Sequence, residues 1–150
     1  MLDLDMDSHR ELPFPLVSVI IPFYNDLKYL NETLQSCMDN TYSHLEILII
    51  DDCSETPLTL KDLIVKKDKY PITIYHNSSN QGPGYSRNLG IKMAKGDYIA
   101  FLDADDLWLP EIIDQQIKVF LSDSETVWVY TDGYYLIDGR LHRRPNSHYH

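Results

Sequence analysis

An α/β fold, with a mostly parallel sheet covered by helices on both faces, is predicted by three features of this sequence. Short β-branched apolar runs alternate with amphipathic segments, Leu16–Phe23 and Leu45–Ile50 being the clearest runs. These runs carry too little polar alternation for one face to be in water, as expected of parallel strands covered twice. Polar and turn-forming residues collect directly after the strands, at Tyr24–Asn25, Asp51–Asp52 and Asp103–Asp106. Right-handed crossovers place the strand C-terminal ends along one edge, where open α/β sheets bind ligands.

The elements follow in order. Residues 1–13 mix acids, serine and early turn signals and read as a flexible arm. Leu16–Phe23 is the first strand. Asn25–Asp26 then offers a helix cap, and Leu27, Leu30, Leu34 and Met38 recur at helical spacing. Leu45–Ile50 is the second strand, Leu58–Lys69 a helix of weak apolar spacing, and Ile72–Tyr75 the third strand. After the polar loop Asn77–Gly84 comes a helix with Leu89, Met93 and Ala94 on one face and a stop at Gly96. Tyr98–Leu102 is the fourth strand. Pro110 suits the first turn of another helix, with Ile112, Ile113, Ile117, Phe120 and Leu121 toward the core. Val127–Tyr130 reads as a fifth strand. Asp138–Gly139 reads as the tight turn joining Tyr134–Ile137 to Arg140–His142. Residues 145–150 have no pattern and read as a disordered tail, so His142, His148 and His150 are expected in solvent rather than on a metal.

Composition narrows the function. The chain has 150 residues, the size of one domain or of a piece of a larger one. Hydrophobic residues at 43% and charged residues at 24% exclude wholesale disorder. Thirteen basic residues against 23 acidic ones leave a net charge of −10. Such a surface repels phosphate backbones, and no basic stretch precedes Arg140–Arg144, so no nucleic-acid partner is expected. No apolar run approaches the roughly 18–20 residues of a membrane helix, so no membrane span is expected. The N-terminus is acidic where a secretory signal is basic and then apolar. Cys37 and Cys53 make neither a disulfide framework nor a CxxC pair, and read as small residues in a reducing cytoplasm.

The strongest local signal is the run Phe101 to Trp108, FLDADDLW. Three carboxylates within four residues repel one another unless a cation sits among them; a hard ion such as Mg²⁺ or Mn²⁺ suits oxygen ligands and can itself bridge to a phosphate. Taken alone, the cluster serves a turn and helix cap equally well, since Asp favours both. An EF-hand is excluded: Leu107 stands where an alternating ligand should be, with no Gly or Glu at the later positions. Asp51–Asp52 is a second acidic strand end, able to accept from a base N–H or a sugar hydroxyl, or to cap the next helix. Gly82–Pro83–Gly84 permits close backbone approach and opens a helix whose N-terminus favours anions. It is not the dinucleotide fingerprint, since GPGYSR lacks the third glycine and follows the third strand. Arg87, in the first turn, can fork onto two phosphate oxygens.

In order, VSVIIPFYN, EILIIDDCS and NQGPGYSRNLGIKMAKGDYIAFLDADD resemble the family 2 glycosyltransferases of the GT-A fold, from about Leu16 to Tyr135. The resemblance implies transfer of a sugar from a nucleotide diphosphate donor, often UDP-linked, with inversion at the anomeric carbon. It makes residues 14–144 a donor-binding domain, incomplete at its C-terminus. By motif, Pro22 and Tyr24 match the segment lining the base. Asp52 matches the aspartate that reads the uracil edge, with Asp51 beside it, and Arg87 matches the basic residue of the G-x-x-x-x-R-N segment. Asp103-Ala104-Asp105 matches the D-x-D, with Asp105 the direct ligand of Mn²⁺ or Mg²⁺ and Asp103 toward ribose and metal. Two departures are visible: Cys53 stands where Gly is common, and Asn40 where Gln is usual.

Such enzymes continue for about another hundred residues, as the resemblance implies, which carry acceptor-side structure and a carboxylate base. Asp132 and Asp138 remain, but no residue here matches that base and none is assigned to it; Asp132 is the first to suspect. The acceptor class is a saccharide or a lipid-linked molecule, and the setting is the cytoplasm or the inner face of a membrane. A non-catalytic nucleotide-binding or assembly module is the alternative, because the chain is short. A phosphatase of the HAD family is a further one, since FLDADD superficially resembles its motif. That motif, however, belongs on a first strand with Thr or Val where Leu107 stands.

Overall fold

The computed structural model describes residues 14–66 and 68–143. The expected arm at 1–13 and tail at 145–150 lie outside the described residues. The chain divides into two compact units, Met1–Pro110 and Glu111–His150.

The first unit holds a four-stranded parallel sheet: β1 (Val17–Phe23), β2 (Leu45–Asp51), β3 (Ile72–His76) and β4 (Tyr98–Phe101), in the order β3-β2-β1-β4. Strands β1 and β2 are buried along nearly their whole length, which is why neither shows an alternating pattern. Helix α1 (Leu27–Met38) buries Leu30, Leu34 and Met38 of the expected stripe, together with Thr33 and Cys37, whereas Leu27 at its first turn is exposed. Helix α2 (Pro83–Met93) begins with Pro83 in its first turn, where a missing N–H costs nothing. It packs its small residues inward: Ser86 and Gly90 are the buried positions, Leu89 is half-buried and Met93 is exposed. At Gly90 a side chain has no room, because a Cβ would stand 2.4 Å from Ile20 Cγ2.

Two polar residues inside strands are explained by one network. Ser18 Oγ donates to Glu46 Oε1 at 2.6 Å, and that oxygen also accepts Lys95 N–H at 2.7 Å. Gly96 N–H donates to Ser18 Oγ at 2.8 Å. The buried acid is satisfied by the turn that feeds β4, so the polar groups help dock that turn.

Strand order reverses between β1 and β4: β2 and β3 lie to one side of β1, and β4 lies on the other. The register sets Phe23 beside Asp51 and Asp51 beside His76, while Ile20 faces Phe101. The segments after β1, β2 and β4 therefore emerge together at one edge.

Two expected elements differ. Leu58–Lys69 is not a helix: its described residues hold only a 3₁₀ turn at Leu60–Asp62. Its buried residues, Leu58, Leu63 and Val65, have spacings that no single helix face collects. The stretch is held instead by Asn31, which accepts Ile64 N–H at 2.8 Å, and by Asp51, which accepts Leu58 N–H at 3.0 Å. Val127–Tyr130 forms no strand: Val127, Trp128 and Tyr130 are exposed, and no strand among the described residues pairs with its apolar run. In the second unit, α3 (Ile112–Ser122) buries Ile113 and Ile117, whereas Leu121 is exposed. The expected hairpin is present as antiparallel β5 (Tyr134–Ile137) and β6 (Arg140–Arg143). Its turn residues Asp138 and Gly139 have φ of 49° and 72°, the left-handed pair that a two-residue turn requires. His142 is exposed in β6.

Candidate functional site

The site grows from the ends of β1, β2 and β4. After β1 the chain turns sharply at Asn25, whose φ is 61°. Asn25 N–H donates to Ser54 Oγ at 2.9 Å, and Asn25 Oδ1 accepts Glu55 N–H at 2.9 Å. These bonds clip the β1 loop to the β2 loop and leave Tyr24 half exposed at the edge. Asp26 precedes α1 as its N-cap residue but makes no side-chain capping bond, so its carboxylate is not spent on the helix.

Asp51 and Asp52 are buried, 1% and 4% exposed, and both are engaged by their own chain. Asp51 accepts Ser54 N–H at 3.0 Å, Leu58 N–H at 3.0 Å and the His76 ring at 3.0 Å. Asp52 accepts Asn77 Nδ2 at 2.6 Å, Gln81 N–H at 2.9 Å and Gly82 N–H at 2.7 Å. Burial pushes both carboxyls up, but these hydrogen bonds outweigh it and hold both below the usual carboxylate range. Asp52 thus binds the turn at Gln81–Gly82 that opens α2. Cys53, between them and the loop, has a φ of 64°. A glycine adopts that conformation without strain.

A cleft of about 280 Å³ opens at the point where strand order reverses, lined by Pro22, Tyr24, Asp26, Pro83, Arg87, Asp103, Ala104 and Asp105. Of the sequence-derived candidates, the structure brings Pro22, Tyr24, Arg87, Asp103, Ala104 and Asp105 together there. Asp51 and Asp52 stand outside that lining, and Asp132 belongs to the second unit, where it is exposed and pairs with Arg143 at 3.2 Å. Asp26 and Pro83 were not anticipated as cleft residues. Each has an ordinary helix-starting role that hides a second one, and only the failed cap at Asp26 separates them.

The cleft is electrostatically divided. Arg87 Nη2 lies 2.5 Å from Asp103 Oδ1, with both side chains partly in solvent. Among the described residues, Asp105 makes no ion pair. Asp106 is held above the usual carboxylate range, first by burial and then by the charges of Asp105 and Asp103. The acid loop therefore keeps uncompensated negative charge beside one cation, an arrangement able to take a ligand that is anionic and carries a cation with it.

The sequence model described as Glycosyl transferase family 2 matches residues 18–149. The chain belongs to that family. An uncharacterized glycosyltransferase of Haemophilus influenzae is 37% identical over 73% of this chain and 44% of its own length. The putative teichuronic acid biosynthesis glycosyltransferase TuaG of Bacillus subtilis is 34% identical over 82% of this chain and 48% of its own. The chain thus spans less than half the length of these relatives. The solved structure of S. aureus TarS 1–349 in complex with UDP is 27% identical, with a TM-score of 0.70 over 88% of this chain and 38% of that one. The same protein in complex with UDP-GlcNAc gives the same TM-score of 0.70. The family's GT-A fold accounts for the parallel sheet and its flanking helices. Membership in this family removes the phosphatase reading, whose motif belongs on a first strand rather than on β4. Among the described residues, no helix is long and apolar enough to cross a membrane.

Proposed function

We propose that this chain is the donor-binding part of an inverting, metal-dependent glycosyltransferase whose donor is a UDP-linked sugar. The observation that carries the reading is the cleft beyond the ends of β1 and β4, whose lining includes Tyr24, Asp103, Ala104, Asp105 and Arg87, the last paired with Asp103. The UDP and UDP-GlcNAc complexes of TarS, a similar fold at 27% identity, support the choice of nucleotide.

The residues fit a divalent cation in a shared rather than a self-sufficient way. Among the described residues, no three acidic, His or Cys side chains converge as a complete metal site. Asp105 and Asp103 offer two carboxylates, so the remaining oxygens would come from the diphosphate and water, as hard cations accept. When bound, Mn²⁺ or Mg²⁺ there supplies Lewis-acid neutralisation of the diphosphate leaving group. Arg87 forks onto phosphate oxygens while Pro22 and Tyr24 flank the base. Asp52, its lone pairs filled from Asn77, Gln81 and Gly82, holds the turn beside the nucleotide instead of reading the base edge itself. Inversion needs a saccharide or lipid-linked acceptor on the far side of the sugar, with a base near its hydroxyl. Asp132, in the second unit, is not assigned that role. The proposed setting is the cytoplasm or the inner face of a membrane, which suits free thiols at Cys37 and Cys53.

Calorimetry of UDP in Mn²⁺ and in EDTA tests the reading. Binding should weaken by at least about tenfold on chelation, the equivalent of about 1.4 kcal/mol. Equal affinity in both would remove the metal, and competition by ADP as potent as UDP would remove the pyrimidine.

A further inference from the structure

The geometry points to Thr33, on α1, as a positioning residue for the acid loop of the cleft. Thr33 is 0% exposed and far from the loop in sequence. Its single hydroxyl lies 2.9 Å from the Ala104 carbonyl oxygen and 2.9 Å from the Asp106 carbonyl oxygen. One proton shared between two acceptors is a three-centre bond. The two carbonyls belong to the residues on either side of Asp105, so the clamp grips the backbone around that one residue. Ser36, one turn along α1, extends it: its hydroxyl donates to the Thr33 carbonyl at 2.7 Å and accepts Trp108 N–H at 3.1 Å.

The loop needs such a hold. Asp103, Asp105 and Asp106 crowd three carboxylates into four residues, and like charges so close repel one another. Within the loop the bond from Asp106 N–H to the Asp103 carbonyl, at 3.1 Å, closes only one turn. Two carbonyls drawn toward a buried hydroxyl leave Asp103 and Asp105 to project into the cleft. Thr33 does this through the backbone, touching no ligand. The inference deepens the donor-binding reading and rests on it for the ligand, but not for the loop geometry.

The test compares Thr33→Val, which keeps the shape and removes the hydroxyl, with Thr33→Ser, which keeps the hydroxyl. Tyr70→Phe is the control, because it also deletes a buried hydroxyl donor, at 2.6 Å from the Tyr42 carbonyl, away from the cleft. Amide exchange at Asp106 and Trp108 should quicken about tenfold or more in Thr33→Val, with β1 and β2 amides changed no more than in Tyr70→Phe. UDP affinity in Mn²⁺ should fall about tenfold in Thr33→Val, and stay within about threefold in Thr33→Ser and Tyr70→Phe. If Thr33→Val does not fold, Thr33→Ala is measured in its place. Loop exchange in the Thr33 variant no faster than in Tyr70→Phe overturns the assignment. Failure of the unmodified chain to bind UDP with Mn²⁺ would instead sink the donor reading, and the exchange data would still decide Thr33.

Discussion

Single residues at this sheet edge divide into those that face the cleft and those that hold the residues facing it. Asp52 is of the second kind, and its lowered carboxyl makes a pH prediction. A depressed folded-state value stabilises the fold above the ordinary carboxylate value of 3.8, and that stability is lost as pH falls through the folded value. Asp51 and Asp52 should therefore steepen acid unfolding. Asp52→Asn sets an amide N–H against the donors of Gln81 or Gly82, which should cost about 1–3 kcal/mol near neutrality and leave a shallower acid limb. Asp106 has the opposite sign, since its raised value gives stability that is present below 3.8 and lost as pH rises through the folded value. Asp106→Asn should accordingly raise the melting temperature at neutral pH. Melting curves recorded from neutral pH downward check both directions; a steeper acid limb in Asp52→Asn would contradict the first. The sequence marks all three acids, but Asp51 and Asp52 differ from Asp106 in accepting backbone N–H groups, up to 30 residues away for Asp52.

At the scale of elements, the close approach of α2 and of the turn into β4 to β1 depends on glycine. A Cβ at Gly90 would meet the Ile20 side chain at 2.4 Å, whereas one at Gly96 would meet Leu16 O and Ser18 N at 2.7 Å. Side chains can shift; a strand's backbone cannot without breaking its ladder. Gly90→Ala should cost roughly 1–3 kcal/mol from overpacking, offset by up to about 1 kcal/mol of helix propensity. Gly96→Ala has no such relief and should cost more than Gly90→Ala. Urea denaturation of the two variants decides it, and a milder Gly96→Ala would mean that the β4 turn moves freely. Element legibility follows the same division. Strands β1 and β2 are legible as continuous apolar runs, and α1 and α3 because burial of one face imposes a period, while the stretch around Leu60–Asp62 is not, because Asn31 and Asp51 hold it by its backbone.

Across the molecule, a net charge of −10 surrounds a cleft proposed to take a diphosphate. Like charges then oppose binding at long range, and salt screens that opposition, with a Debye length of about 8 Å at physiological ionic strength. In EDTA, UDP affinity should rise as salt is added from low ionic strength. In Mn²⁺ the gain should shrink or reverse, because the ligand then arrives with its charge neutralised. Isothermal titrations at several salt concentrations measure both, and a loss of affinity with salt in EDTA would show that Arg87 alone governs the approach.

The sequence by itself determined the alternation of strands and helices, the sheet edge at which the cleft opens, and six of the cleft residues. These are encoded locally, in apolar periods and in short motifs next to strand ends. Only the tertiary structure decided that Asp52 faces inward to Gln81 and Gly82, that Asp26 is free to line the cleft, and that Thr33 grips the loop around Asp105. Val127–Tyr130 belongs with them, since its strand-like composition finds no paired neighbour among the described residues. For Asp52 and Thr33 the deciding partner is a backbone group distant along the chain. Any residue supplies such a group, so its position leaves no mark in the sequence until the chain has folded.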